Sequence, residues 1–190
     1  AALQAIEFVR AGMVVGLGTG STAKHMIMAL GAKVRAGMKL RGVPTSQETA
    51  DLARQAGIPL IDAENRWEID VAIDGADQVD PHFNLIKGGG GALLKEKIVA
   101  ASSKQFIVVV DHTKQVPVLG GAFPLPIEVI PFGWGSTARE IETLTKSRVV
   151  LRERHGVPFK TEAGNVIVDV HIDRISEPGA LETVAAWTAP

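Results

Sequence analysis

The chain has 190 residues, 46% of them hydrophobic and 22% charged, with a formal net charge of −1 at pH 7. That length suffices for one large core or two small ones, and so balanced a charge leaves no electrostatic footprint for nucleic acid or a polybasic membrane contact. With no cysteine, disulfides, thiolate catalysis and cysteine-based zinc sites are excluded, and no apolar run approaches the roughly 20 residues that span a bilayer.

MVVGL (13–17) predicts a buried strand, with a helix from Ser21 to Leu30 after it. KLRGV (39–43) predicts a second strand, followed by a helix from about Gln47 to Ala56 that Gly57 closes. IPLI (58–61), IDVAI (69–73) and QFIVVV (105–110) supply three more strands. Short apolar runs bounded by turn signals and separated by helices predict parallel strands buried on both faces. The expected class is α/β, a doubly wound, Rossmann-like and mostly parallel sheet over residues 1–123.

The character changes at FPLPIEVIP (123–131), where three prolines punctuate a strand. A helix at about 135–145, strands at 148–153 and 165–171 and a helix at about 178–187 follow. That order is a split βαβ unit without its last strand, so residues 124–190 read as a smaller α+β domain. The expectation is a chain that stops short of its natural C-terminus. No signal peptide is visible, although the chain starts without Met, and a reducing cytoplasmic compartment is the default.

Three loops directly follow predicted strands, where open α/β sheets bind ligands. In GLGTGST (16–22) the glycines admit close backbone approach, while Ser21 and Thr22 offer hydroxyl and N–H groups at a helix N-terminus. Those are the parts of a phosphate site. The spacing is not GxGxxG, because Ser21 stands at the third glycine position, and no GK[ST] follows. The plain alternative is a tight turn with a Ser/Thr helix cap.

DGADQVD (74–80) sets Asp74 and Asp77 around a Gly75-Ala76 turn. Such carboxylates handle sugar hydroxyls or shuttle protons; they equally cap turns through Asx hydrogen bonds, or hold a divalent cation.

In IKGGGGALLKEK (86–97), Lys87 precedes Gly88, Gly89, Gly90 and Gly91, whose successive N–H groups can form an anion nest. Glu96 falls in the second turn of the helix that follows. At about 100° per residue it shares a side with Ala92, Leu93, Val99 and Ala100, while Lys95 and Lys97 point away to either hand. Partial desolvation there raises a carboxyl pKa, as a general base near neutral pH requires. The plain alternative is a solvated glutamate between two lysines. Lys114, just past the end of QFIVVV, can reach a phosphate or sugar oxygen, or only water. The histidines at 25, 82, 112, 155 and 171 lack metal-ligand spacing, and Trp67, Trp134 and Trp187 read as packing residues.

Taken together and in order, GLGTGSTA (16–23), VPTS (43–46), DGADQVD (74–80), KGGGGALLKEKI (87–98), DHTKQV (111–116) and FPLPIEVIP (123–131) resemble ribose-5-phosphate isomerase of the A type. GNVIVDVH (164–171) is similar to a segment of that family's second domain. The resemblance covers essentially the whole chain. It implies an α/β domain carrying a ferredoxin-like domain, working without a cofactor as a homodimer or homotetramer. It implies interconversion of ribose 5-phosphate and ribulose 5-phosphate in the pentose phosphate pathway. By the same resemblance Glu96 is the catalytic base, Asp74 and Asp77 the assisting carboxylates, and Lys87 the loop lysine. Thr19, Gly20, Ser21 and Thr22, with Gly75, Ala76, Gly88, Gly89, Gly90 and Lys114, would bind substrate. Two alternatives stand on the same scaffold: a sugar-phosphate sensor module, and an amino-sugar phosphate deaminase or CoA transferase. A nicotinamide dehydrogenase fits less well, given the failed GxGxxG.

Overall fold

The structure, a computed structural model, describes residues 2–62, 64 and 66–181. Its first elements are α1 (Ala2–Ala5), β1 (Val14–Leu17), α2 (Ser21–Arg35), β2 (Arg41–Pro44) and α3 (Gln47–Gln55). Next come β3 (Val71–Asp74), β4 (Gln78–Val79), β5 (Leu85–Ile86), α4 (Leu93–Ala101) and β6 (Phe106–Val108). The series closes with β7 (Leu125–Val129), α5 (Trp134–Thr145), β8 (Arg148–Leu151), β9 (Glu153–Arg154), β10 (Val157–Pro158) and β11 (Val166–His171). Two compact units result, one of Ala1–Gly75 with Leu94–Asp111, the other of Ala76–Leu93 with His112–Pro190.

The first unit is built on a parallel sheet of order β2-β1-β3-β6. Every residue of β1 and of β3 is buried, because helices cover both faces. Val15, Leu17, Val71 and Ile73 pack under Met26, Ile27 and Leu30 of α2 and Ala53 of α3. On the opposite face Val14, Val43 and Ala72 meet Val99 of α4. That is the doubly wound arrangement, and it explains why these strands read as continuous apolar runs. IPLI forms no strand: Leu60 alone bridges to Gly42 in parallel. Pro59 has no N–H to add to a ladder, and its carbonyl accepts from the Gly42 N–H at 2.8 Å.

The second unit holds an antiparallel sheet of order β7-β11-β8. The chain runs β7, α5, β8 and leaves room for β11 between them, which is the split βαβ topology. Along β11, Val166, Val168 and Val170 face one core with Ile127, Val129 and Ile141 of α5. Ile167 and Asp169 alternate onto the other face. Two hairpins were not expected from the sequence, β4–β5 and β9–β10. The second turns on His155 and Gly156 with φ of 56° and 77°, the left-handed pair that two-residue hairpins favour. Of the expected final helix at about 178–187, the part after residue 181, with Trp187, lies outside the described residues.

Candidate active site

In the first unit, α2 begins at Ser21 with Gly20 as its N-cap, at φ 104° and without a side-chain cap bond. Ser21 and Thr22 are therefore the first two helical residues rather than caps. The Lys24 N–H donates to the Gly20 carbonyl at 3.0 Å. The N–H groups before it belong to the first turn, which an α-helix leaves without intrahelical partners and which suits an anion.

Thr19 links this loop to the one after β2. Its Oγ1 lies 2.7 Å from Thr45 Oγ1, 2.9 Å from Ser46 Oγ and 3.1 Å from Thr49 Oγ1. Thr45 in turn donates to the Leu17 carbonyl at 3.0 Å, and Thr49 to the Gly18 carbonyl at 2.9 Å. Four hydroxyls thus stitch the loop after β1 to the loop after β2, which accounts for the VPTS segment. Ser46 also caps α3 by accepting from the Thr49 N–H at 3.0 Å.

Asp74 closes β3 and is only 5% exposed. Its Oδ1 accepts from the Gly75 N–H at 2.7 Å and the Thr19 N–H at 3.2 Å.

Glu96 sits in the first turn of α4, not the second. It is 7% exposed, and it and Val99 are the buried side chains of that helix, with Lys95 and Lys97 exposed. The helix lies close on the sheet. A Cβ built on Gly16 of β1 would stand 2.6 Å from Val99 Cγ1 and 2.8 Å from Ala72 Cβ.

In the second unit, Asp77 Oδ2 accepts from the Gly89 N–H at 2.8 Å. The Gly91 N–H donates to the Gly88 carbonyl at 3.0 Å, closing a turn. Two of the four N–H groups are therefore engaged, and the anion nest narrows to those of Gly88 and Gly90. Ala76, Asp77 and Lys87 are half-buried. Lys114 is half-buried on a short 3₁₀ turn, His112–Lys114, and makes no hydrogen bond to Asp77 or the glycine loop among the described residues. The third aspartate of the DGADQVD stretch, Asp80, caps the β4–β5 turn through the His82 and Asn84 N–H groups, each at 2.9 Å. All five histidines are exposed.

One pair escaped the sequence reading. Arg152, just past β8, donates from Nη1 to the carbonyls of Gly88 at 3.0 Å and Gly89 at 3.1 Å. Its Nε and Nη2 grip the Asp169 carboxylate at 2.8 and 2.5 Å. No local motif announces this; only the register that sets Asp169 opposite Val150 brings the two side chains to one face.

Comparison with known proteins points one way. A protein-family model described as ribose 5-phosphate isomerase A (phosphoriboisomerase A) matches residues 41–186. A ribose-5-phosphate isomerase A from Jannaschia sp. (strain CCS1) is 52% identical over 97% of this chain and 72% of its own. One from Bradyrhizobium diazoefficiens is 50% identical over 95% of this chain and 79% of its own. Among solved structures, a D-ribose-5-phosphate isomerase in complex with phospho-erythronic acid superposes with a TM-score of 0.91 at 41% identity, covering 96% of this chain and 81% of that one. The ribose 5-phosphate isomerase from Plasmodium falciparum gives 0.92 at 35% identity, covering 99% and 83%.

Proposed function

Because this chain belongs to the ribose-5-phosphate isomerase A family, and is thus an isomerase of the pentose phosphate pathway, we propose that it moves a proton between C2 and C1 of the sugar through an enediolate, with Glu96 as the base. The observation that carries this reading is the burial of Glu96, 7% exposed beside Val99 on α4. A general base must be held in place beside the proton it takes, and a carboxylate fixed on the packed side of a helix is so held. One carboxylate near both carbons can remove the C2 proton and return it to C1, a contribution typically worth about 10²–10⁴-fold.

The enediolate places negative charge on the former carbonyl oxygen, and preorganised donors there are worth roughly 3–4 kcal/mol each. In this reading Lys87 and the N–H groups of Gly88 and Gly90 supply them. Asp74 assists ring opening and proton movement on the sugar oxygens, and Asp77 holds hydroxyls. Ser21 and Thr22, at the open first turn of α2, receive the phosphate with Lys114, while Thr19 shapes that loop from behind. The relative bound to phospho-erythronic acid supports the substrate class: a phosphorylated sugar acid carries a planar anionic group, as an enediolate does. No helix among the described residues is long and apolar enough to cross a membrane. The reading extends to a cytoplasmic homodimer or homotetramer, which sedimentation at working concentration tests.

Coupled assay of ribose 5-phosphate conversion with wild type and Glu96→Gln tests the base. The variant is expected to lose at least about 10²-fold in kcat with KM largely kept. Wild-type turnover in that variant would remove Glu96 from the role. A sensor module on the same scaffold would bind the sugar phosphate and show no turnover in either form.

A further inference from the structure

We propose that Arg152, braced by Asp169, is a positioning residue that turns the N–H groups of Gly89 and Gly90 toward Asp77, so that Gly90 becomes a donor to the developing oxyanion. This rests on the isomerase reading above and assigns a residue to it that no motif in the sequence marks.

The argument is one of peptide planes. In a trans peptide the C=O of one residue and the N–H of the next point in opposite directions. Arg152 Nη1 takes the Gly88 carbonyl at 3.0 Å, which turns the Gly89 N–H away from the guanidinium. That N–H indeed lands on Asp77 Oδ2 at 2.8 Å. The same Nη1 takes the Gly89 carbonyl at 3.1 Å. By the same rule the Gly90 N–H also points away from Arg152, onto the side of the loop that Asp77 occupies. Two consecutive N–H groups are thus aimed alike, one on a carboxylate and one toward whatever anion stands beside it.

Glycines need such a restraint because they lose more freedom on ordering than any other residue. Without an external hold, neither peptide has a side chain to fix its plane. The guanidinium suits the task by shape. Of its five N–H donors, two go to Asp169 and two to the loop carbonyls. The Asp169 grip at Nε and Nη2 fixes the plane of the fork, and therefore the direction of Nη1. An ammonium cannot span a carboxylate and two carbonyls in that fixed geometry. Arg152 and Asp169 are themselves largely withdrawn from solvent, with side chains 15% and 16% exposed, so water competes weakly for the same bonds.

The test compares wild type, Arg152→Ala, Arg152→Lys and Asp169→Asn as full chains, with kcat, KM and thermal midpoint measured for each and Glu96→Gln as reference. A donor misplaced by about 1 Å can cost on the order of 10²-fold. Arg152→Ala is therefore expected to lose about that much in kcat, with KM within a few-fold. Lysine should restore little. Added guanidinium, at concentrations that leave wild type unaffected, should recover part of kcat in Arg152→Ala and none in Glu96→Gln. Asp169→Asn should fall between wild type and Arg152→Ala. If Arg152→Ala keeps its kcat, or if its lost activity simply follows a lowered thermal midpoint and guanidinium restores none, the positioning role is overturned. Should Glu96→Gln remain fully active, it is instead the underlying isomerase mechanism that fails.

Discussion

The Asp74 carboxylate lies so tightly over Gly18 that a Cβ there would stand 2.1 Å from Oδ1 and 2.7 Å from the Asp74 Cα. The glycine is needed for proximity, since neighbouring backbone cannot retreat. Gly18→Ala is expected to displace the end of β3 or the loop that carries Thr19, at a cost of about 1–3 kcal/mol as in other overpacked sites. Urea denaturation measures the loss, and with Asp74 in its proposed role kcat should fall further than stability alone predicts.

The four-hydroxyl cluster offers a separate lever. Thr45→Val keeps the shape but removes a donor to the Leu17 carbonyl and a partner of Thr19. The Leu17 carbonyl keeps the Thr45 N–H and Thr19 keeps Ser46 and Thr49, so the cost is that of lost hydrogen bonds, roughly 0.5–1.5 kcal/mol each. If the loop after β1 receives the phosphate, KM should rise in this variant while kcat at saturation changes little. An unchanged KM would detach the cluster from substrate binding.

Acid stability should depend on Asp70. Its Oδ1 meets Lys104 Nζ at 2.7 Å and its Oδ2 accepts from the Val14 N–H at 2.9 Å. The side-chain hydrogen bond from Lys104, then that N–H, hold its carboxyl below the ordinary range, against a smaller opposing effect of burial. A group lowered on folding contributes stability above its unfolded value of about 3.9 and loses it as pH falls through the folded value. Wild type should therefore exceed Asp70→Asn in stability at neutral pH, and the gap should close below about pH 4. Lys104 is raised, first by its hydrogen bond to Asp70, so its share persists through neutrality and disappears only as pH rises past its folded value. Both effects should shrink in high salt, since the pair is partly exposed.

Gln78 makes a two-way bond with the Gly120 main chain, Nε2 to the carbonyl at 2.9 Å and the N–H to Oε1 at 2.8 Å. Gln78→Glu sets a carboxylate against that buried carbonyl and removes its donor. The expected loss is about 1–3 kcal/mol at pH 7, partly recovered near pH 5 where the acid can protonate. Thermal midpoints at the two pH values check it.

What could be read beforehand followed from local chemistry. The apolar run of β1, the burial of Glu96 on the Val99 face and the strand-end placement of Asp74 each depend on residues within a turn or a strand of one another. The split βαβ order was legible for the same reason. IPLI misled because its composition is strand-like while Pro59 denies it a ladder. The hairpins β4–β5 and β9–β10 have two residues per strand, too few for an alternation to register. Arg152 and Asp169 lie 17 residues apart on neighbouring strands, so their meeting is a matter of register rather than of sequence. The link from Thr19 to its three hydroxyl partners escaped the sequence reading because they lie 26 to 30 residues away.

Gly16 sets the height of the helix that carries Glu96. Val99 rests one helical turn after Glu96, and it settles on β1 only because position 16 has no side chain. A methyl group there would press on Val99 and Ala72 and shift α4 together with the Glu96 carboxylate; with Glu96 as the proposed base, turnover would fall along with stability. Gly16 and the helix that carries Glu96, some eighty positions on, are therefore one mechanical part, the first acting as the seat on which the second is gauged.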